Sequence, residues 1–162
     1  PGIVDQKNRI GDWEGDTVHG AAKSGYIATF VERKSGYLVA RKLQNPNGEE
    51  MLAASLDLQV VPTEKRLTLT LDNGFENSEH EEMERRLGLK VYFARPYHSW
   101  ERGTNENTNG LLRQYFPKKT SFEGITQAAV DRAVARLNTR PRKRLGYQSP
   151  FTVFHSGVAL RD

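Results

Sequence analysis

Two acidic residues, Asp72 and Glu106, stand 34 positions apart in settings suited to shared chemistry. Asp72 closes the alternating run Leu67-Thr68-Leu69-Thr70-Leu71 and opens the turn Asp72-Asn73-Gly74. Glu106 lies in the polar stretch Asn105 to Gly110, just before Leu111-Leu112-Arg113-Gln114-Tyr115-Phe116. An acid at the end of a strand and another on a later helix can hold a divalent cation against a phosphodiester. Such ions are hard and oxygen-seeking, binding a few carboxylates while keeping room for water and phosphate oxygens. Two ions a few ångströms apart can activate an attacking oxygen and stabilise a leaving one. A third acid would come from Asp12, Glu14 or Asp16, which alternate onto one face of a strand. Spacing does not choose among these three, and a salt bridge to a nearby Lys or Arg would explain any of them.

On a helix with about 100° per residue, Arg102, Glu106, Asn109, Gly110 and Arg113 fall within one arc. Thr104, Thr108, Leu111, Leu112 and Tyr115 take the opposite side. Glu106 thus shares a stripe with two arginines that suit phosphate contacts. The plainer reading is a solvent-facing acid offsetting its basic neighbours. Asn105 and Asn109 could orient Glu106 or the DNA backbone. Asp72 taken alone is explained by turn propensity, although ligands of open α/β sheets favour the carboxyl ends of strands. Trp100 suits stacking on an unpaired base or packing under its own loop. His98 reads as a structural loop histidine, His19 as a surface residue, and His80, sharing a helical face with Met83 and Leu87, as a partly buried one.

The elements that must place these residues follow from periodicity. Asp12–Val18, Tyr26–Val31 and Tyr37–Leu43 read as three antiparallel strands, the last two joined by the hairpin turn Arg33-Lys34-Ser35-Gly36. Gly48–Leu58 reads as a helix, Leu67–Leu71 as a strand, Ser78–Leu87 as a helix stopped by Gly88, and Leu89–Phe93 as a strand. A loop from Pro96 to Gly103 leads into a helix ending near Phe116, where Pro117 breaks the pattern. The last helix runs from Ile125 to Asn138 with Val130, Ala133, Val134 and Leu137 as its buried stripe; Tyr147 and Pro150 pin the tail to the body. The order β-β-β-α-β-α-β-α-α predicts an α/β fold, a mixed five-stranded sheet layered with helices.

At 162 residues the chain is read as a single domain over 1–162, long enough for a full core. With 36% hydrophobic residues it is not a disordered segment. With no cysteine, a metal site must use oxygen or imidazole. No apolar run is long enough to span a bilayer and no signal peptide opens the chain, so the expectation is a cytoplasmic protein without a membrane partner. Pro1 in place of Met points to a piece of something longer. The net charge of +4 suits an anionic partner. Arg140, Arg142, Lys143 and Arg144 place four positive charges within five positions, a phosphate-contacting patch or a solvated turn.

Three stretches carry a resemblance. Trp13-Glu14-Gly15-Asp16-Thr17, Leu71-Asp72-Asn73-Gly74, and the long run Pro96-Tyr-His-Ser-Trp100-Glu-Arg-Gly-Thr-Asn-Glu106-Asn-Thr-Asn-Gly-Leu-Leu-Arg-Gln-Tyr-Phe-Pro117-Lys118 resemble the catalytic core of the insertion sequence 30 family of bacterial transposases. The segment Leu137 to Pro150 is similar to that family as well, so the likeness covers nearly the whole chain. It implies an RNase H-like, retroviral-integrase-type fold with a DDE triad, which by motif is Asp16, Asp72 and Glu106. It further implies Mg²⁺ or Mn²⁺, two ions, held by these three acids. The implied reactions are nicking at transposon ends and attack of the freed 3′-hydroxyl on target DNA. The implied partners are double-stranded DNA, at ends and target, and further copies of the chain assembled on it; the setting is the bacterial nucleoid. Arg102, Asn105, Asn109, Arg113 and the Arg140, Arg142, Lys143, Arg144 run are the expected DNA contacts. The chain departs from the family in having Asn77 where a second aromatic usually follows Glu76. The family's amino-terminal helix-turn-helix region does not precede Pro1, so DNA binding is expected to be weak and to show little sequence choice. An RNase H-like nuclease and a catalytically silent DNA-binding module are the competing readings.

Overall fold

Alternating apolar residues in Asp12–His19 (β1), Tyr26–Glu32 (β2) and Leu38–Leu43 (β3) can bury one or both faces only as paired strands, and the chain returns through tight turns. In the computed structural model, which describes residues 9–72, 79–94 and 103–156, these strands form an antiparallel meander. Trp13 lies opposite Glu32 and Asp16 opposite Thr29. Helix α1 (Gly48–Ser55) then crosses to Thr68–Leu71 (β4), and α2 (Glu79–Leu87) to Lys90–Phe93 (β5). Both β4 and β5 join in parallel, giving the five-stranded order β3-β2-β1-β4-β5. This is the mixed sheet that the order of runs predicts. Three further helices follow: α3 (Gly103–Leu112), α4 (Gln127–Thr139) and α5 (Pro150–Ser156).

The pleat divides β1 between two cores. Trp13 points to one face, where it packs with Phe30, Leu69, Leu71, Met51 of α1, Met83 and Leu87 of α2 and Phe154 of α5. Leu69 and Leu71 are fully buried there, each worth roughly 1.5–3 kcal/mol. Val18 points to the other face with Ile27, Leu38, Leu112 of α3 and Val130, Ala133 and Leu137 of α4. Asp12, Glu14 and Asp16 share the parity of Val18, so all three acids lie under α3 and α4. Asn138 fixes α4 to the edge strand: its Oδ1 accepts from Leu38 N at 2.9 Å and its Nδ2 donates to Leu38 O at 2.9 Å.

Three regions differ from the sequence expectation by more than two residues, the first being the helix expected over Gly48–Leu58, which ends at Ser55 and tightens into a 3-10 turn over Leu56–Val60. The helix expected to reach Phe116 ends at Leu112, and the chain tightens into turns over 113–115. The expected tail is partly helical instead. Pro150 is buried and opens α5, with Ser149 Oγ accepting from Thr152 N at 3.1 Å, while Tyr147 is exposed. Ser followed by Pro is a helix-start signal, because proline's missing N–H is one of those a first turn leaves unpaired anyway.

Candidate active site

The three β1 acids differ in their surroundings. Asp12 is fully buried; its carboxylate accepts from Arg9 Nε at 2.8 Å, Arg9 Nη2 at 2.9 Å and Thr68 Oγ1 at 2.7 Å. Glu14 is also fully buried, 3.2 Å from the Nε of the buried Arg33. Its Oε1 accepts from the backbone N of Asn105 at 2.9 Å, so it meets the first turn of α3, where free N–H groups favour an anion. Asp16 is only half-buried. Its Oδ1 accepts from Thr17 N at 2.8 Å and its Oδ2 from Asn109 Nδ2 at 3.1 Å.

Asp72 is exposed and is the first residue past β4. The parallel register pairs Asp12 with Thr68 and Glu14 with Thr70. The pairing ends there; continued for two more residues, the same register would bring Asp72 level with Asp16 on the same face. Glu106 is exposed in the first turn of α3. Its neighbours Asn105 and Asn109 both face Thr29, whose Oγ1 lies 3.1 Å from Asn105 Oδ1 and 3.3 Å from Asn109 Oδ1. Thr29 is the register partner of Asp16. The helix carrying Glu106 is therefore tied to the strand carrying Asp16 on both sides of Glu106. Among the described residues, no three Asp, Glu or His side chains are drawn together closely enough to hold one ion.

The expected DNA contacts scatter. Arg102, like His98 and Trp100, lies outside the described residues. Asn105 is fully buried, so it holds α3 in place and cannot reach a DNA backbone, a correction to its expected role. Asn109 is half-buried and turned toward Asp16. The Arg113 guanidinium donates to His19 O at 3.1 Å and Phe116 O at 3.4 Å and lies over the Phe122 ring at 5.6 Å; burial pushes its pKa down. The run from Arg140 to Arg144 is divided. Arg140 donates to Gln114 Oε1 at 3.1 Å and the Tyr115 hydroxyl at 2.9 Å. Arg144 donates to Lys34 O at 3.1 Å. Arg142 is half-buried, and burial, Arg144 and Arg140 together push its pKa down. Lys143 is exposed. His80 is half-buried with its ring edge-on to Phe93, centroids 5.5 Å apart, and His19 is exposed at the end of β1.

Sequence reasoning allowed a salt bridge to a nearby Lys or Arg for any of the three acids but could not name the partners, which are Arg9 for Asp12 and Arg33 for Glu14. Nothing in spacing marks an arginine 19 positions from its acid; the pairing follows from the β1–β2 register, which sets Glu32 and Arg33 back at the start of β1.

Comparison with known proteins bears on the family and the fold. A family model described as the integrase core domain matches residues 6–99. The chain is 45% identical over 160 residues to a transposase, InsI, of insertion sequence element IS30C from Escherichia coli strain K12, covering 98% of this chain and 42% of that protein. It thus spans less than half the length of that curated relative. Among solved structures, the catalytic core domain of BIV integrase superposes with a TM-score of 0.71 at 21% identity, covering 93% of this chain and 97% of that one. The HTLV-2 integrase catalytic core domain in complex with magnesium gives 0.69 at 19% identity, covering 90% and 96%. At such identities the two structures speak for the fold, a mixed sheet of the integrase-core, RNase H-like kind.

Proposed function

The chain belongs to the integrase core domain family, and on that premise we propose that it is the catalytic domain of a DNA transposase. It would nick transposon ends and join the freed 3′-hydroxyl to target DNA. One observation carries the reading: on either side of Glu106, α3 is tied to β1, by Asn105 N donating to Glu14 and by Asn109 Nδ2 donating to Asp16, on the strand that pairs in parallel with the one leading to Asp72. The 45% identity to a named transposase across nearly the whole chain supports it independently.

The donor set fits a hard divalent cation. Asp16, Asp72 and Glu106 offer carboxylate oxygens, and the chain has no cysteine to favour a softer metal. These three would hold Mg²⁺ or Mn²⁺, as two ions, which when bound would supply charge stabilisation to the attacking and leaving oxygens. The chain's own residues do the positioning. Asn109 fixes Asp16 Oδ2, leaving the carboxylate oriented before any ligand arrives. Glu14 anchors the first turn of α3 through Asn105 N, and Thr29 holds both asparagines. In the joining step the 3′-hydroxyl oxygen forms a new P–O bond to the target strand, the P–O3′ bond of that strand breaks, and the proton released by the attacker balances the one taken up by the departing 3′-oxygen. One phosphodiester replaces another, so no external energy source is needed. Because two ends are joined to one target, further copies of the chain assemble on DNA, within the bacterial nucleoid. Among the described residues no helix is long and apolar enough to cross a membrane.

A strand-transfer assay with a pre-nicked transposon end and Mn²⁺ tests the reading. Joined products are expected, falling at least about 100-fold in Glu106→Gln, as for loss of a metal ligand's contribution. Metal-dependent cutting without joining would instead assign a nuclease. DNA binding with neither product would assign a silent binding module.

A further inference from the structure

Beyond the acids lies an open pocket of about 660 Å³ whose wall includes His19, Lys23, Arg113, Lys118 and Lys119. It is a built feature of the fold. The Ala21–Ser24 loop after β1 is tied to the turn after α3 by Ala21 N donating to Thr120 O at 2.8 Å and Phe122 N donating to Ser24 Oγ at 2.8 Å. Arg113 closes the floor against His19 O. Gly20 is required there, since a Cβ would meet Ser24 Oγ at 2.5 Å and Phe122 Cγ at 2.7 Å.

Charge and backbone both mark this pocket. Four permanent cations line it and no Asp or Glu does, so it concentrates as much positive charge as the whole chain's net of +4. Among the described residues, none of the four is paired with a carboxylate. Self-repulsion of this kind is tolerated where an anion offsets it. Ala22, Lys23 and Lys119 all hold positive φ, at 52°, 59° and 65°, a left-handed conformation that side chains other than glycine rarely adopt and that clusters at ligand clamps.

Position relates the pocket to the acids. His19 lies three residues past Asp16 on β1, roughly 10 Å. Arg113 lies one helical turn, about 6 Å, beyond Asn109, which itself holds Asp16. The two routes put the pocket about two to three nucleotide steps from the acids, at roughly 3.4 Å per step.

We propose that this pocket is a second DNA contact, taking two or three backbone phosphates of the strand that is cut and joined at Asp16, Asp72 and Glu106. The inference rests on the reading given under Proposed function. Lys23, Lys118 and Lys119 neutralise the phosphates as point charges, Arg113 supplies a fixed guanidinium, and the apolar loop backbone between them lets the strand approach closely. The contact is to phosphate and so positions the strand without reading its sequence.

The test is the salt dependence of binding to a fluorescent 30-base-pair duplex, with Mn²⁺-dependent nicking followed in the same samples. In the triple variant Lys23→Gln, Lys118→Gln, Lys119→Gln the slope of log K against log salt is expected to become shallower by about 2 to 3, close to 0.9 per phosphate lost. The natural absence of cysteine allows a second readout. A lone Lys119→Cys should exchange with a mixed disulfide tethered to the DNA backbone, releasing the small capping thiol, at least about tenfold more efficiently than Gln59→Cys, an exposed position beside the opposite core. An unchanged slope with equal cross-linking overturns the proposal, even where wild type nicks normally and the catalytic reading stands. A shallower slope in a protein that never nicks upholds the pocket and sinks the catalytic reading. Saturable binding of inorganic phosphate at fixed ionic strength, with the DNA slope unchanged, would assign the pocket to a free anion and also overturn the proposal.

Discussion

Glu14 and Asp16 sit two residues apart on one strand face, and what surrounds each decides its use. Glu14 is enclosed with Arg33, both essentially without solvent contact, whereas the half-buried Asp16 opens toward the end of the sheet and accepts from Thr17 N and the Asn109 side-chain amide. A buried ion pair adds little net stability, yet removing one partner strands the other charge. Glu14→Gln should therefore cost about 3–5 kcal/mol, because it removes the negative charge 3.2 Å from the buried Arg33 guanidinium. Urea unfolding would report this as a lower midpoint at unchanged slope; a midpoint equal to wild type would contradict it. The spacing of Asp12, Glu14 and Asp16 could not make this distinction. It depends on Arg9, Arg33 and Asn109, which arrive from a loop, a hairpin turn and a helix 93 positions away. Asp72 and Glu106 were more legible, because a strand end and a polar helical stripe are local patterns.

Strand β1 pairs in parallel with β4, the strand that leads to Asp72, and Gly15 permits their close approach. A Cβ on Gly15 would lie 2.6 Å from Leu71 Cδ2 and 3.2 Å from Phe30 Cε1. Gly15→Ala must push β4 or the ring aside, costing about 1–3 kcal/mol. For a chain of this size the melting temperature should fall by roughly 3–10 °C; an unchanged melt would refute the tight contact. The hairpin turn after β2 rests on Glu32, which accepts from Gly11 N, Lys34 N, Ser35 N and Ser35 Oγ. Burial raises its pKa above 4.5, outweighing these four donors, which lower it. The folded chain thus keeps this proton to higher pH than the unfolded chain. The group's contribution to stability is full below 4.5 and is lost as pH rises through its folded midpoint. Carboxyl-carbon NMR should place the Glu32 midpoint above 4.5, and a midpoint at or below that value would contradict the burial argument. The strand and helix runs were readable because periods of 2 and 3.6 survive in single sequences. Glu32 was not, because it lies between the run read as a strand and the residues read as the hairpin turn, and its distant donor, Gly11 N, meets it only in the folded sheet. The helix Pro150–Ser156 was obscured by its brevity, although Ser149-Pro150 announced its start.

The whole molecule is a sheet with two differently used faces. One is closed by apolar packing around Trp13. The other carries a polar seam from Asp12 to Asp16 under α3, then the basic pocket beyond His19. Of the four charges from Arg140 to Arg144, adjacent in sequence, Arg140 donates to Gln114 and Tyr115 past the end of α3 and Arg144 to Lys34 in the β2–β3 turn, while both still act on Arg142 between them. Chain-adjacent charge is visible in a sequence; charge gathered from a strand end, a loop and a turn is not. A shared site makes the three acids interdependent toward a cation, although they belong to three separate elements. Calorimetric titration of Mn²⁺ into wild type, Asp16→Asn, Asp72→Asn and Glu106→Gln tests this most directly. Each single substitution is predicted to weaken Mn²⁺ binding by at least about tenfold, whereas Mn²⁺ affinity in Asp72→Asn equal to wild type would contradict the shared metal site.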